Sequence, residues 1–585
     1  MNPERLLKHF DLLAEAPDAI PRLRRFILDL AVRGKLVEQD PDDESALELL
    51  SRLAIQKARQ VEAGEIRKPR ELSNNQEIGK LFDIPASWCW CRLDAVGAVI
   101  GGGTPSAADP ENFAEPTKGI PWLTPADFGR HTERYIARGS RDLSEKGLKS
   151  SSATLLPKGT VLFTSRAPIG YVAIAKNPIA TNQGFKSIVP YVLDCSRFVA
   201  LAMKAFAPMI DANAPGTTFK EVSGKIVAAI PFPLPPLAEQ HRIATRVDEL
   251  MALCDRLEAA QAEREQRRDR LVTASLSQLQ NQEGLTQRRQ ARKDDSFASL
   301  APLREPVFIR DIPRLTTHPA HIKALRQTIL SLAVRGCLVP QCPSDEPASE
   351  LLTRITATKE PSRRPAVTID TNNAPFSLPL SWEWASLDQL IVSGPQNGIS
   401  PKPTLRTDAP RAITLTATTS GVFNPAHFKH VEINVKNESN YWLQEGDLLF
   451  QRGNTREYVG IAAVYEGPPD AFLFPDLIMR VRVSKAASLR FIHLAAISPP
   501  ARKFLSENAS GAQKTMPKIN QKTLASLPIP LPPLAEQNRI VAKVDELLAV
   551  CDQLETQLTA TQADSRRLLE AVLRDALAPA MGKVA

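Results

Sequence analysis

The chain carries two copies of one plan, and that constrains its fold more than any other feature. Pro231 to Glu258 reads PFPLPPLAEQHRIATRVDELMALCDRLE and Pro528 to Glu555 reads PIPLPPLAEQNRIVAKVDELLAVCDQLE, identical at 20 of 28 positions. A second pair starts at Leu30, LAVRGKLVEQDPDDESALELL, and at Leu332, LAVRGCLVPQCPSDEPASELL. A third is Ile84-Pro85-Ala86-Ser87-Trp88-Cys89-Trp90, answered by Leu378-Pro379-Leu380-Ser381-Trp382-Glu383-Trp384. The offsets are 297, 302 and 294 residues, so one half-chain unit has been duplicated. Two copies are too few for a solenoid, which needs about three, and a pseudo-two-fold molecule is expected.

Each half keeps one order: a helical LAVRG segment, a Pro-x-Ser-Trp-x-Trp opening, an irregular stretch of about 150 residues, and a long helix begun by PLPPLAEQ. The chain divides accordingly into an N-terminal helical segment (1–79), a first mixed domain (80–232), a central long helix with link and second LAVRG segment (233–375), a second mixed domain (376–529) and a C-terminal long helix (530–585). The irregular stretches are broken by Gly and Pro and hold short β-rich runs such as Thr160–Phe163 and Asp447–Phe450, which predicts mixed α/β (α+β) domains. All six tryptophans lie in them, and they resemble each other far less than their flanks do.

In the long helices, expected near 236–280 and 533–576, apolar residues alternate at spacings of four and three. The first stripe is Ile243, Val247, Leu250, Cys254 and Leu257, with Leu271 later in register; the second is Ile540, Val544, Leu547, Cys551, Leu554 and Leu558, then Leu568. Such a heptad pattern predicts that the two helices pair with each other as an antiparallel coiled coil between the mixed domains, imperfectly where Gln261, Arg264 and Arg268 interrupt it. A helix of that length spans about 65 Å. The chain ends should pack together by the same symmetry, the C-terminal helix meeting residues 20–57 as the central helix meets 320–357. The stretch from Asn281 to about Leu303 reads as an exposed link.

Charge narrows the class of function. The net charge of +8 is modest, but residues 80–232 carry 17 basic against 12 acidic side chains and residues 376–529 carry 16 against 12, so the remainder is close to neutral. Basic surface with scattered aromatics suits a polyanion. No apolar run approaches the roughly 18 residues of a membrane span, and Met1-Asn2-Pro3-Glu4-Arg5 lacks the layout of a secretory signal. Seven cysteines without zinc spacing are expected as reduced thiols in a cytoplasmic protein. There is no phosphate-loop motif and no strand followed by G-x-G-x-x-G, so nucleotide-driven or methyl-donor chemistry finds no site. Ser498-Pro499-Pro500-Ala501 lacks the closing aromatic of an amino-group methyltransferase motif, and Cys254 and Cys551 suit a core better than nucleophilic work. No catalytic residue, metal ligand or cofactor site is expected.

The two PLPPLAEQ-x-RI-x-x-x-VDEL segments, the two LAVRG segments and the Pro-x-x-Trp-x-Trp openings at Trp88 and Trp382 together resemble the DNA-specificity subunit of type I restriction-modification enzymes. Gly102-Gly103-Thr104-Pro105-Ser106 and Gly394-Pro395-Gln396-Asn397-Gly398-Ile399 are similar to the opening motifs of its target-recognition domains. The resemblance implies a non-catalytic subunit in which each recognition domain reads half of a bipartite site on double-stranded DNA. It further implies that the helices set the spacing and dock two modification subunits, which carry S-adenosylmethionine, with restriction/translocase subunits that use ATP and Mg. A complete LAVRG segment before the first recognition domain departs from the commonest pattern.

Two readers on one spacer favour half-sites about 34–36 Å apart, and the divergence of the two domains predicts an asymmetric site. Polar residues on Gly-rich turns are the base-reading candidates: Thr104, Ser106, Arg166, Asn182, Gln183 and Lys186 in the first domain, and Gln396, Asn397, Arg452, Asn454 and Arg456 in the second. Arg matches guanine, and Asn or Gln matches adenine. Thr217, Lys220, Lys514 and Lys518 lie ahead of the long helices and are expected on phosphates. A scaffold that never touches DNA and a self-sufficient methyltransferase are the competing classes.

Overall fold

The computed structural model describes residues 18–66, 79–129, 131, 133–166, 168–216, 220–281, 316–357, 369, 374–433, 439–511 and 516–577. It separates into two compact units, residues 1–263 with 562–585, and residues 264–561. Each unit therefore takes the start of one long helix and the end of the other. The proposed link 281–303 lies outside the described residues apart from Asn281.

In the first unit the chain enters through helices Ala19–Val32 and Ala46–Glu62. The second helix begins with a capping box in which Ser45 and Glu48 satisfy each other's backbone N–H groups. Strand Cys89–Arg92 then pairs antiparallel with Pro231–Leu234, setting Trp90 opposite Pro233. The second unit repeats this with Glu383–Ser386 on Pro528–Leu531 and Trp384 opposite Pro530. The two ends of each mixed domain are thus zipped together next to the long helix. A domain pinned at both ends can vary inside without disturbing the frame.

Between these zips, the first domain has a five-stranded sheet in the order Gly97–Gly101, Lys186–Pro190, Val161–Ser165, Ile169–Ala175, Tyr135–Ile136. A second sheet combines Phe113–Ala114, Arg141–Leu143, Ile120–Leu123 and Ala180–Thr181. The second domain repeats the first four positions with Ile391–Asn397, Ile478–Val483, Leu448–Gln451 and Ala462–Val464. Beside them it has a three-stranded sheet of Lys402–Pro403, Phe428–Glu432 and Arg411–Ile413. The architecture is mixed α/β, and the β-rich runs predicted at 160–163 and 447–450 fall in strands Val161–Ser165 and Leu448–Gln451.

The repeated motifs meet at one place in each unit. Gly34 and Gly336 end the LAVRG helices in the left-handed region, at φ +66° and +74°. A Cβ on Gly34 would lie 2.4 Å from Pro85 Cγ and 3.1 Å from Trp88 Cζ2; on Gly336 it would lie 2.6 Å from Pro379 Cγ and 3.1 Å from Trp382 Cζ2. The glycine of LAVRG and the proline and tryptophan of the opening motif are two halves of one contact. Gly336→Ala should therefore destabilise the protein by about 1–3 kcal/mol in chemical denaturation, because it adds both strain and overlap. An unchanged unfolding midpoint would show that the contact is soft.

Trp88 in turn donates its indole N–H to Glu239 of the PLPPLAEQ helix at 2.9 Å, and Trp382 donates to Glu536 at 3.0 Å. Arg242 pairs with Asp43 at 2.6 Å and Arg539 with Asp345 at 2.6 Å. Arg24 bridges Asp255 and Glu258, as Arg326 bridges Asp552 and Glu555. Burial raises the pKa of both motif glutamates, and that of Glu536 is pushed up to about 7. The difference between the copies is local. Gln39 donates to the second oxygen of Glu239 at 2.6 Å, whereas Oε1 of Glu536 is buried with no hydrogen-bond partner among the described residues.

The long helices run over Leu237–Asn281 and Leu534–Leu577, one residue from the expected starts. Their apolar stripes require a correction. Ile243, Val247, Leu250 and Cys254 belong to the core of the first unit, with Phe26, Ile27, Leu30 and Phe198, and Leu257 packs against it. Ile540, Val544, Leu547 and Cys551 belong to the core of the second, with Leu554 and Leu558 against it. The two stripes are thus absorbed by different clusters, because four-three spacing serves burial in a domain core as well as a coiled-coil seam. Leu271 and Leu568 are 60% and 56% exposed, while Val272 and Leu569 are buried. A straight helix drifts about 20° per heptad, so four heptads carry Leu271 about 80° off the stripe begun by Ile243, and the next residue takes its place. Leu276 joins the cluster of Leu554 and Leu558, and Val572 and Leu573 join that of Leu257, so the end of each long helix packs into the unit where the other begins.

The chain ends do come together. Arg22 pairs with Glu570 at 2.7 Å, Arg566 approaches Asp18 at 3.9 Å, and Ala19 is buried against Leu569. The other copy has different chemistry at this place, His321 meeting Asp269 at 2.7 Å and His318 meeting Glu265 at 3.8 Å.

Candidate nucleic-acid interface

In the first domain the polar candidates gather where strands Gly97–Gly101, Val161–Ser165 and Lys186–Pro190 end. Gly102 and Gly103 are there because the backbone is crowded: a Cβ would fall 2.0 Å from the Asn182 carbonyl at one and 2.3 Å from the Ala153 nitrogen at the other. Trp122 donates its indole N–H to the Gly103 carbonyl at 3.1 Å and fixes the turn. Thr104 then emerges with its hydroxyl on the Gln183 side-chain carbonyl. Lys186 Nζ reaches the Gln183 carbonyl at 3.2 Å. Asn182 turns inward, its Oδ1 accepting from Gly184 N at 2.9 Å, and so serves its own loop.

Glu221 carries no signal in the sequence pattern. It stands 3.7 Å from Arg166 and 3.6 Å from Lys186, so two of the expected cations share one carboxylate. Thr104, Arg166, Gln183 and Lys186 thus form one patch. Ser106 is exposed but is tied by its carbonyl to Asn112, and Lys220 is held by the carbonyl of Asp211 at 2.9 Å. Thr217 lies outside the described residues.

The second domain places its candidates on the matching strand ends. Gly398 crowds the Phe474 and Pro475 carbonyls as Gly102 crowds those of Asn182 and Thr181. Gln396 Oε1 accepts from Arg480, whose buried guanidinium also donates to the Trp442 carbonyl at 3.0 Å, approaches Asp447 at 3.5 Å and lies over the Phe474 ring. Burial lowers the pKa of Arg480, with Asp447 opposing the shift. Asn397 Oδ1 is buried without a partner among the described residues. Arg452 touches the Asp476 carbonyl at 3.5 Å and Asn454 bonds to Gln451 at 2.7 Å. Lys518 is exposed and its backbone bridges Gly453 and Ser510. Arg456 is exposed, and Lys514 lies outside the described residues. Arg480 and Gln451 escaped sequence reasoning because each sits inside a strand, where its neighbours give no hint of a turned-in polar side chain.

The matching positions carry unlike chemistry. Ser165 and Arg452 accept from Val222 N and Ile519 N at 3.0 and 2.8 Å, so the two loops are in the same register. The adjoining bridge is Arg166 on Glu221 in one domain and Gly453 on Lys518 in the other. Among the described residues no group of His, Cys, Asp and Glu could hold a metal ion, and no helix is long and apolar enough to cross a membrane.

The family model of the type I restriction modification DNA specificity domain matches residues 85–265 and, a second time, residues 395–561. The chain belongs to this family. The first match opens at Pro85 of the Pro-x-x-Trp-x-Trp motif and the second beyond Trp384, and both end within a long helix, so each takes in the variable interior and the PLPPLAEQ opening. The EcoEI specificity subunit of Escherichia coli is 28% identical over 581 residues, covering 95% of this chain and 94% of that protein. The EcoAI specificity subunit of Escherichia coli is 29% identical over 579 residues, 94% and 93% of the two chains. The MjaIX specificity subunit of Methanocaldococcus jannaschii is 41% identical over 171 residues, 29% of this chain and 38% of that one. As a member of the type I specificity family, the chain supplies DNA sequence specificity, and catalysis resides in partner subunits.

Proposed function

We propose that each mixed domain reads one half of a split, asymmetric site on double-stranded DNA. The patch of Thr104, Arg166, Gln183 and Lys186 serves one half, and Gln396, Arg452, Asn454, Arg456 and Lys518 serve the other. The observation that carries this is one sheet order in both units with unlike polar groups at the same strand ends. A shared scaffold with different donors and acceptors reads two different sequences through one geometry. Lys220 and Lys518 contact phosphates, and the long helices that both units share set the spacing between half-sites. The repeated frame of LAVRG, tryptophan and PLPPLAEQ docks two modification subunits, which hold S-adenosylmethionine and methylate adenine, with restriction/translocase subunits that use ATP and Mg. This chain works in the cytoplasm without a cofactor of its own.

Filter binding of the full chain to duplex DNA at increasing salt tests this. With six to ten phosphates neutralised, affinity should fall by roughly 10³–10⁵-fold between 50 and 200 mM salt. A flat response would identify a helical scaffold that leaves DNA to its partners.

A further inference from the structure

The side chain of Gln451 is fully buried at the end of strand Leu448–Gln451. Its Nε2 lies 2.8 Å from the Leu415 carbonyl, 2.9 Å from Thr418 Oγ1 and 3.1 Å from Thr419 Oγ1. Both threonine hydroxyls donate to the same Leu415 carbonyl, at 3.2 and 3.0 Å. Their hydrogens are committed, so toward Gln451 they can only accept, and a carbonyl never donates. Three acceptors therefore fix which end of the Gln451 amide is the nitrogen.

Its oxygen then faces Asn454, whose Nδ2 donates to it at 2.7 Å. Asn454 is fixed a second time from its other end, because the backbone N–H of Thr455 donates to Asn454 Oδ1 at 2.7 Å. Two one-way partners agree on one orientation. They use one N–H and one lone pair of the Asn454 amide, and among the described residues the other N–H and the other lone pair have no partner. Asn454 is half-buried, beside exposed Thr455 and Arg456 and within the loop bridged to Lys518.

A donor and an acceptor side by side in one plane match the N6 and N7 edge of adenine in the major groove. Guanine offers two acceptors there, and cytosine a donor alone. The Gln183 amide of the first domain is held differently: among the described residues its side chain meets the hydroxyl of Thr104, a group able to donate or accept, which does not set the amide's orientation.

We propose that Asn454 reads an adenine in the half-site of the second domain and that Gln451 is its positioning residue, holding the amide in the adenine-reading orientation before DNA arrives. This rests on the second domain being a DNA reader. Gln451 touches no base; its removal frees the Asn454 amide to rotate and to accept other bases.

The test selects duplexes from a random pool with the full-length chain, its Asn454→Asp variant and its Gln451→Leu variant. Asp is the same size as Asn but offers only acceptors. In the wild type one adenine should be required in the second half-site. In Asn454→Asp the preference at that one position should fall roughly 10-fold to 100-fold, while the other half-site stays as it was. Gln451→Leu should relax the same position, a change that a purely structural role would not confine to one base. If Gln451→Leu fails to fold, Asn454→Asp decides alone, since it empties no core. Unchanged selection by Asn454→Asp, or an equal loss across all sequences, overturns the proposal. A wild-type pool with no second half-site overturns the underlying reading and the proposal with it, and is distinguishable because it precedes any substitution.

Discussion

Replacing Trp382 by alanine should destabilise the second unit by about 3–5 kcal/mol, the usual result of emptying a large aromatic from a core. Trp382 is 5% exposed, packs edge-on to Phe491 with ring centroids 6.3 Å apart, and presses against the turn at Gly336. Among the described residues its indole N–H is also the one hydrogen bond Glu536 accepts, the other carboxylate oxygen being buried without one. Losing it adds a desolvation penalty of about 1–3 kcal/mol at neutral pH. Trp382→Phe separates the two effects, since it keeps most of the volume and loses only the donor. Denaturant unfolding followed through Trp442 should move for both variants, and more for alanine. Equal stabilities of Trp382→Ala and wild type would mean that the LAVRG, tryptophan and PLPPLAEQ motifs are held together by something other than this contact.

The frame was legible in the sequence because a duplicated contact leaves its mark twice. Gly34 with Trp88 and Glu239, and Gly336 with Trp382 and Glu536, each lie far apart along the chain, yet they recur together because each needs the others' shape. The ends of the chain could likewise be matched by symmetry, and Arg22 with Glu570 confirms it. The stripe on the long helices was misassigned for a physical reason. Spacing reveals that a face is buried and says nothing of what buries it, so Ile243 and Ile540 read as partners and lie in separate cores. The reading faces were legible only as residue types. Nothing near Arg166 or Lys186 in sequence marks Glu221 as their counter-charge, and nothing near Asn454 marks Gln451 as more than a strand residue. Such pairings are made by strand register, which sequence periodicity does not specify.

The unequal environments of the two motif glutamates predict a pH dependence stronger in the second unit than in the first. Glu536 titrates near 7 in the folded protein, driven by burial and relieved only partly by Trp382 and Arg539, while in the unfolded chain it titrates near 4.5. The folded state thus holds a proton between those values that the unfolded state has released. Stability from this group is fully present below about pH 4.5 and declines as pH rises to about 7, by no more than about 3 kcal/mol. Above 7 both states are ionised and the slope vanishes. Glu536→Gln keeps an acceptor for the Trp382 indole and removes the titration, so it should match wild type near pH 5 and exceed it at pH 8. Glu239 is raised in the same direction, but Gln39 supplies its ionised form with a second donor at 2.6 Å, so Glu239→Gln should gain less on going from pH 5 to pH 8. Urea midpoints of wild type and both variants across pH 5–8 measure this directly. If the Glu536→Gln and wild-type curves run parallel, the carboxyl is ionised throughout, and a donor outside the described residues or a water must satisfy its buried oxygen.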